Sequence, residues 1–461
     1  MRALLPVLAV LLPAAAAAAP IAVTPLAPIA LAVGDDAGPQ SLALADVSGD
    51  GVADLLVVDR EDDALHVLLG VGDGTFRAPV DYPLEGTPTA VTAADVASPF
   101  ASDTAGDIDG KVDVIVAHED GFAEILLGRG DGSFDPPEQD LSEVLDSLEL
   151  IGVAVRDLDG NQRPDLIFLD GFDEVYFLCN EGGVFAPCAT DYVCTEGGGA
   201  VAFAVTDLDA DGDDDVAVLS ADSQDLRVIP GLGGGAFDGE AVRVSSAVTD
   251  PAQRPAAMVC ASLDDLGGED LVVANAGPPA IALSVFSSVD GLLQGSVATG
   301  VGDPRALAVA DLDGDTIPDL VTAQESTPGL AVARGDGSAG FGAPLTPSGG
   351  AAIGAARAVV AGPIDADGHP DLAVLSAAGD AVLIVLTSPT PACAGDCNGD
   401  GSVVINELLL GVNIAIGLLP VGQCPAFDTN ASSSVEINEL IAAVRNALEG
   451  CSQARGAAAL I

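Results

Sequence analysis

Seven times along this chain an acidic loop is followed at once by a short apolar run, and no other feature limits the fold so strongly. The fullest copy has Asp207, Asp209, Asp211, Asp213 and Asp215 with Gly212 at the turn, then Val216 to Leu219. Close to it stand Asp46, Ser48, Asp50 and Asp54 with Gly51, then Asp157, Asp159, Asn161 and Asp165, then Asp311, Asp313, Asp315 and Asp319. Oxygen side chains at positions 1, 3, 5 and 9 of a tight loop are what a hard cation requires. Calcium takes about six to eight oxygens, and close-set carboxylates repel one another unless a cation lies between them. One such loop is an ordinary solvated acidic turn; four near-complete sets in one array point to calcium.

The last aspartates fall at 54, 113, 165, 215, 270, 319 and 371, giving steps of 59, 52, 50, 55, 49 and 52 residues. A fixed period of this size marks one supersecondary unit repeated along the chain. Each unit reads as four strands. One leads into the loop (Ser41 to Asp46, Ala306 to Asp311), and one follows its last aspartate (Leu55 to Val58, Leu320 to Ala323). The second of these is continuously apolar, which suits a strand buried on both faces. A third strand then meets a glycine-rich turn and a phenylalanine, as at Gly72 to Phe76, Gly130 to Phe134, Gly182 to Phe185 and Gly233 to Phe237. Such turns supply the positive φ that hairpins need. The fourth strand is expected to start at that phenylalanine. The seventh unit, Ala355 to Leu386, lacks the turn and the fourth strand, while Ile21 to Val33 reads as a fourth strand without a unit. Pairing the two ends would close a ring and remove exposed sheet edges. The expected fold is therefore mainly β, a seven-bladed β-propeller.

The chain has 70 acidic residues against 15 basic ones, a formal net charge of −55, and one lysine, Lys111. That balance excludes nucleic acid and anionic lipid as partners, since both are held by Lys and Arg. Arg2, the apolar Leu4 to Leu12 and the alanines Ala14 to Ala19 read as a secretory signal over 1–19. No other segment is long and apolar enough to span a membrane. Eight cysteines, an even number, fit an oxidising compartment. The expected location is extracellular, on the surface of a bacterium, or periplasmic.

Over roughly 21–386, with the Asp-rich loop before a strand as the specific element, the chain resembles the FG-GAP/VCBS repeat family, whose repeats also build the propeller of integrin α-subunits. The resemblance implies calcium in the loops on one face of the ring, with partner binding through the opposite loops or the blade rims. Loops one, three, four and six keep nearly full ligand sets. Loop two keeps Asp107, Asp109 and Asp113, with its first ligand displaced by an insertion after Asp95. Loop seven keeps Asp365, Asp367 and Asp371 but has Pro363 first; loop five, with Leu266 at position five, is expected to bind nothing.

The propeller is assigned to 20–386, a Pro-rich linker to 387–392, a second domain to 393–451 and a tail to 452–461. In the second domain Asp396, Asn398, Asp400, Ser402 and Glu407, with Gly401, fit the EF-hand loop. Thirty-two residues later Asp428, Asn430, Glu436 and Glu439 repeat it with Ser433 in place of the turn glycine, which predicts weaker binding or none. Helices are expected from Ile405 to Ile416 and Ile437 to Leu448. A loop followed by a helix, twice, resembles a dockerin, which implies attachment to a cohesin-like scaffold. Glu407 where dockerins usually have Asp, and Ile405, Asn406, Ile437 and Asn438 on the recognition face, depart from that pattern. A calcium-stabilised cap or surface-attachment module is the other reading. Cys393 with Cys451 and Cys397 with Cys424 is one of three pairings open to this domain's cysteines.

No catalytic constellation stands out. His66, His118 and His369 lie in different units and read as structural, and no nucleophile elbow, zinc-protease helix or phosphate loop is present. Two Arg-Gly-Asp triplets, 129–131 and 334–336, fall in the repeat's glycine turn and read as coincidence. The expected function is a secreted, calcium-binding module for an extracellular protein or glycan. The alternative is a glycan-binding or lyase-like component of a polysaccharide-degrading system.

Overall fold

The computed structural model describes residues 22–25, 29–30, 38–96, 108–135, 139–141, 145, 149–182, 184–195, 197–240, 242–248, 253–264, 268–276, 282–286, 293–298, 304–325, 329–342, 344, 355–376, 381–388, 395, 403–416, 418–419, 424, 427, 435 and 437–449. The chain divides into two units, one of Val23–Thr387 and one holding Ser388–Ile461 with the first 22 residues.

The larger unit consists of antiparallel sheets that follow the repeat. The first sheet runs Pro39–Ala45, Asp54–Asp59, Ala64–Leu68 and Val80–Pro83 in chain order. Sheets of the same order start at Pro88–Ala94, Leu150–Arg156, Ala200–Thr206 and Arg254–Ala261; a three-stranded one starts at Pro304–Ala310. In the last, Ala356–Gly362, Asp371–Ser376 and Ala381–Ser388 are joined by strands from the other end of the sequence. Ala22–Pro25 and Ile29–Ala30 both pair with Ala381–Ser388, Ile29 standing opposite Val382. The segment without a unit of its own thus pairs with the third strand of the unit that lacks a fourth.

Each second strand begins at the last aspartate of its loop, and six residues are buried in every one except the seventh, where the last is half-buried. The apolar residues are buried because a sheet lies on either side. Leu56 and Val58 pack with Val114 and Val116 of the next sheet, while Leu55 and Val57 pack with Ala373 and Leu375 of the seventh. The same alternation sends Ile115 to Leu166, Ile167 to Val216, Ala217 to Leu271 and Val272 to Leu320. A period of two thus divides each strand between two inter-sheet layers. Along the inner edge each first strand packs on the next, and Ala356–Gly362 packs back on Pro39–Ala45.

Two features differ from the sequence reading. Every first strand carries a bulge at the same place, skipping Gln40, Thr89, Ile151, Val201, Ala256, Arg305 and Arg357. The phenylalanine of the turn does not begin a fourth strand, except at Phe185. It closes the turn instead, through an isolated bridge to a glycine: Gly70 with Phe76, Gly128 with Phe134, Gly231 with Phe237 and Gly335 with Phe341. A Cβ on Gly70 or Gly128 would lie 2.3 or 2.1 Å from the carbonyl oxygen of Ala53 or Val112, so no side chain fits there.

The smaller unit contains two helices, Ile405–Ala415 and Ile437–Glu449, which pack on each other. Its core is Ile414, Cys424, Phe427, Val435 and Ala443, with Leu408 and Leu440 against it. Glu407 does not reach into solvent: it is buried and its carboxylate accepts the Val404 amide at 2.8 Å, capping the first helix. The remaining EF-hand-type ligands, Asp396, Asn398, Asp400, Ser402, Asp428, Asn430 and Glu436, lie outside the described residues, as does the side chain of Glu439. No helix among the described residues is long and apolar enough to cross a membrane.

Candidate metal sites

All seven loops join a first strand to a second strand, so they stand at the same end of their sheets. Within each loop the carboxylates do different work. The last aspartate is buried in every unit and anchors backbone. Asp54 accepts the Val47 and Ser48 amides on one oxygen (3.0 and 2.9 Å) and the Gly70 amide on the other (2.7 Å). Asp215 does the same with Leu208 and Gly231, Asp319 with Leu312 and Gly335, and Asp165 with Leu158 and Asn180. Asp113 and Asp371 follow suit, and Asp270 holds the Leu263 amide in loop five. In loops one, two, four and six this residue staples the loop to the glycine that opens the turn after the third strand, and in loops three and seven to Asn180 and Thr387.

The first aspartate shapes the loop by accepting amides from its far side. Asp46 takes the Asp50 and Gly51 amides at 3.1 and 2.8 Å, and Asp207 takes Asp211 and Gly212 at 3.1 and 3.0 Å. Asp311 repeats the arrangement with Asp315 and Thr316, and Asp157 accepts the Gly160 and Gln162 amides. In loop two Asp95 accepts the Asp109 and Gly110 amides at 3.2 and 2.7 Å. The sequence suggested that the insertion displaces the first ligand; Asp95 nevertheless holds the amides that the first aspartate holds in loops one and four. Asp107 lies outside the described residues. The signal that could have found Asp95 was the 59-residue step, which shows an insertion rather than a lost ligand.

Three carboxylates converge in each of loops four and six, from positions 1, 3 and 9 in the former and 1, 3 and 5 in the latter. Ligand oxygens of Asp207, Asp209 and Asp215 lie within 4.8 Å of one another, as do those of Asp311, Asp313 and Asp315. In loop three Asp159 and Asp165 converge with the sulfur of Cys179, but that sulfur is bonded to Cys188 and is no thiolate ligand. The donor set is all oxygen, which fits a hard cation such as calcium. Asp213 lies to one side: its carboxylate oxygen is 2.7 Å from where a Cβ on Gly233 would stand. In loop seven Asp367 and His369 donate their amides to Asp365 and Asp367.

Burial pushes Asp165, Asp319 and Asp371 up to about 6, and neighbouring aspartates add to the shift. Asp54, Asp95, Asp215 and Asp313 are raised in the same direction, chiefly by burial. Loops one, three and seven are also braced by a neighbouring unit. The glycine turn of the second unit donates Gly132 N–H to the Val47 carbonyl, and Gly235 of the fourth does the same to Leu158. Asp73, in the first unit's turn, bridges to Asp365 in loop seven.

Two loops already contain a cation. Lys111 donates from Nζ to Asp109 at 2.8 Å, and Arg334 pairs with Asp313 at 2.6 Å. Neither was evident from spacing. Arg334 opens one of the Arg-Gly-Asp triplets and Arg129, paired with Asp135, opens the other, so both arginines are engaged. The histidines do not converge. His66 is buried against Asp81 at 2.8 Å, and His118 is buried and stacked on Phe122. Cys179–Cys188 form a disulfide, Cys424 is disulfide-bonded to a partner outside the described residues, and Cys194 and Cys260 are free.

In the helical unit the exposed apolar residues form stripes. Ile405, Leu409, Val412 and Ile416 lie on one face of the first helix, and Ile437, Ile441 and Val444 on one face of the second.

Comparison with known proteins agrees with the repeat reading. Residues 46–97, 107–168, 157–218 and 311–374 match the model of the FG-GAP-like repeat. None of the curated proteins matches the chain in sequence. Among solved structures, BBS1N in complex with ARL6DN, soaked with lead, superposes with a TM-score of 0.53 at 13% identity, covering 80% of this chain and 97% of that one. The mercury-soaked form gives 0.51 at 13% identity over 75% and 91%. The chain carries FG-GAP-like repeats in a β-propeller fold, a class used as binding and adhesion modules. Its acidic clusters are suited to hold metal ions.

Proposed function

We propose that this chain is an exported, calcium-stabilised, seven-bladed propeller that binds an extracellular protein or glycan rather than catalysing a reaction. The carrying observation is the recurrence, in loops one, three, four and six, of a first aspartate that accepts the amide five residues on, with three carboxylates converging in loops four and six. Seven blades are supported by the antiparallel sheets of the repeat, by the terminal strands added to the seventh sheet, and by the packing of the seventh sheet on the first. Calcium would be held by the carboxylates at positions 1, 3 and 5, with the last aspartate presenting its remaining lone pairs. The cation supplies the positive charge that lets those groups stay ionised side by side. Export is supported by the disulfide bonds, which persist in oxidising compartments.

The helical unit is the attachment module in this reading. Its duplicated apolar stripes are the face offered to a scaffold of cohesin type, and its two loops are the second set of calcium sites. The test is thermal unfolding of the whole protein in calcium and in excess chelator. Extracellular modules bind at about 10⁻⁴–10⁻³ M, so the melting temperature should rise by several degrees and level off near millimolar calcium. An identical melt in chelator would end the calcium reading.

A further inference from the structure

We propose that Arg334 is a built-in cation of the loop-six cluster, competing with calcium for Asp313. The inference rests on the calcium reading above and divides the loops into calcium-dependent and partly self-neutralised ones. Arg334 immediately precedes Gly335, whose amide reaches the last aspartate of its loop, Asp319. The corresponding residues elsewhere are Leu69, Leu127, Cys179, Pro230 and Leu386, none of them charged. That position faces the carboxylates, because the Cys179 sulfur lies within 4.8 Å of the ligand oxygens of Asp159 and Asp165. Placing an arginine there delivers its guanidinium to the cluster of Asp311, Asp313 and Asp315.

The contact is sheltered. The Arg334 and Asp313 side chains are 15% and 11% exposed, whereas Arg129 and Arg305 in their ion pairs are 53% and 48% exposed. Solvent therefore screens it little, and a calcium ion entering loop six must displace the guanidinium from Asp313 or accept one ligand fewer. Either route weakens binding by about tenfold or more, since partly buried charge pairs resist separation. In return loop six keeps part of its charge balance when calcium is scarce. Lys111 on Asp109 is a more exposed version of the same device, its side chain 40% exposed.

The test titrates calcium into the full chain by calorimetry for wild type, R334Q and R334K. One site should tighten about tenfold or more in R334Q, or one further ion should appear, while R334K stays near wild type. In chelator, R334Q should melt lower than wild type, and D313N/R334Q should recover part of the loss. An R334Q isotherm equal to or weaker than wild type overturns the competition. Wild type that neither binds calcium nor shifts its melt defeats the calcium reading instead. The chelator series then decides the resident cation alone: coupling between 313 and 334 supports it, and additive effects overturn it.

Discussion

Asp54→Asn and Asp50→Asn should separate two jobs that one acidic motif performs. Asp54 is buried and fills both carboxylate oxygens with three backbone amides. Asparagine offers one acceptor oxygen. If that oxygen serves Val47 and Ser48, the new NH2 group points at the Gly70 amide, which is then buried without an acceptor. Losing a charge-assisted bond and orphaning an N–H costs about 3–5 kcal/mol. Removing the charge returns part of this, because burial already disfavours the ionised form of Asp54. A net loss of about 2–3 kcal/mol is expected, or roughly 3–4 °C of melting temperature in a unit of this size.

The loss should appear undiminished in excess chelator, because the staple does not need an ion. Asp50 is exposed, and the bond its carboxylate accepts from the Val52 amide survives as a bond to the asparagine oxygen. Asp50→Asn should change the chelator melt by about 0.5 kcal/mol or less while reducing the calcium-induced rise. Paired melts of both variants, with millimolar calcium and with chelator, make the comparison. A defect in Asp54→Asn that is confined to calcium would refute the separation, as would an Asp50→Asn defect of equal size in chelator.

Without calcium, stability should fall as pH rises from about 4 to above 6. Asp165, Asp319 and Asp371 titrate near 6 in the folded protein against an ordinary 3.8, so the folded state holds more protons across that window and ionisation works against it. Calcium should flatten that slope, and a chelator melt that improves with pH over the window would contradict the burial argument. Removing residues 22–30 strips the partner from Ala381–Ser388 and leaves an open sheet edge; light scattering should show association, and a monomer with an unchanged melt would refute ring closure. Gly128→Ala should cost about 2–3 kcal/mol by chemical denaturation, because its Cβ would stand 2.1 Å from the Val112 carbonyl oxygen; a change under about 0.5 kcal/mol would show that the turn can move.

Much of the repeat was legible because two periods are superimposed. The spacing of the last aspartates placed the second strands, and their unbroken apolar runs told that both faces are covered. Ala22–Pro25 and Ile29–Ala30 were traceable from the mismatch of the two ends. The bulges at Gln40, Thr89, Ile151, Val201, Ala256, Arg305 and Arg357 left no trace, because the skipped residues share neither size nor polarity. A bulge bends its strand and increases the local twist through the backbone, so the residue it skips need not be of any one type.

The site was legible as a motif and opaque as a division of labour. Composition cannot tell an aspartate that binds an ion from one that binds amides, since both need a carboxylate at a turn. What separates Asp54 from Asp50 is its place at the head of a buried strand, within reach of the Gly70 amide. The same limit hid Asp95, which holds its loop across an insertion, and Arg334, which arrives from the third strand's end rather than from the loop. The loops are therefore completed by segments outside them: Asp54 by the Gly70 amide, loop one by Gly132 of the next unit, and the loop-six cluster by the Arg334 guanidinium. It follows that the loops can share one sequence pattern and still differ in how much they depend on calcium.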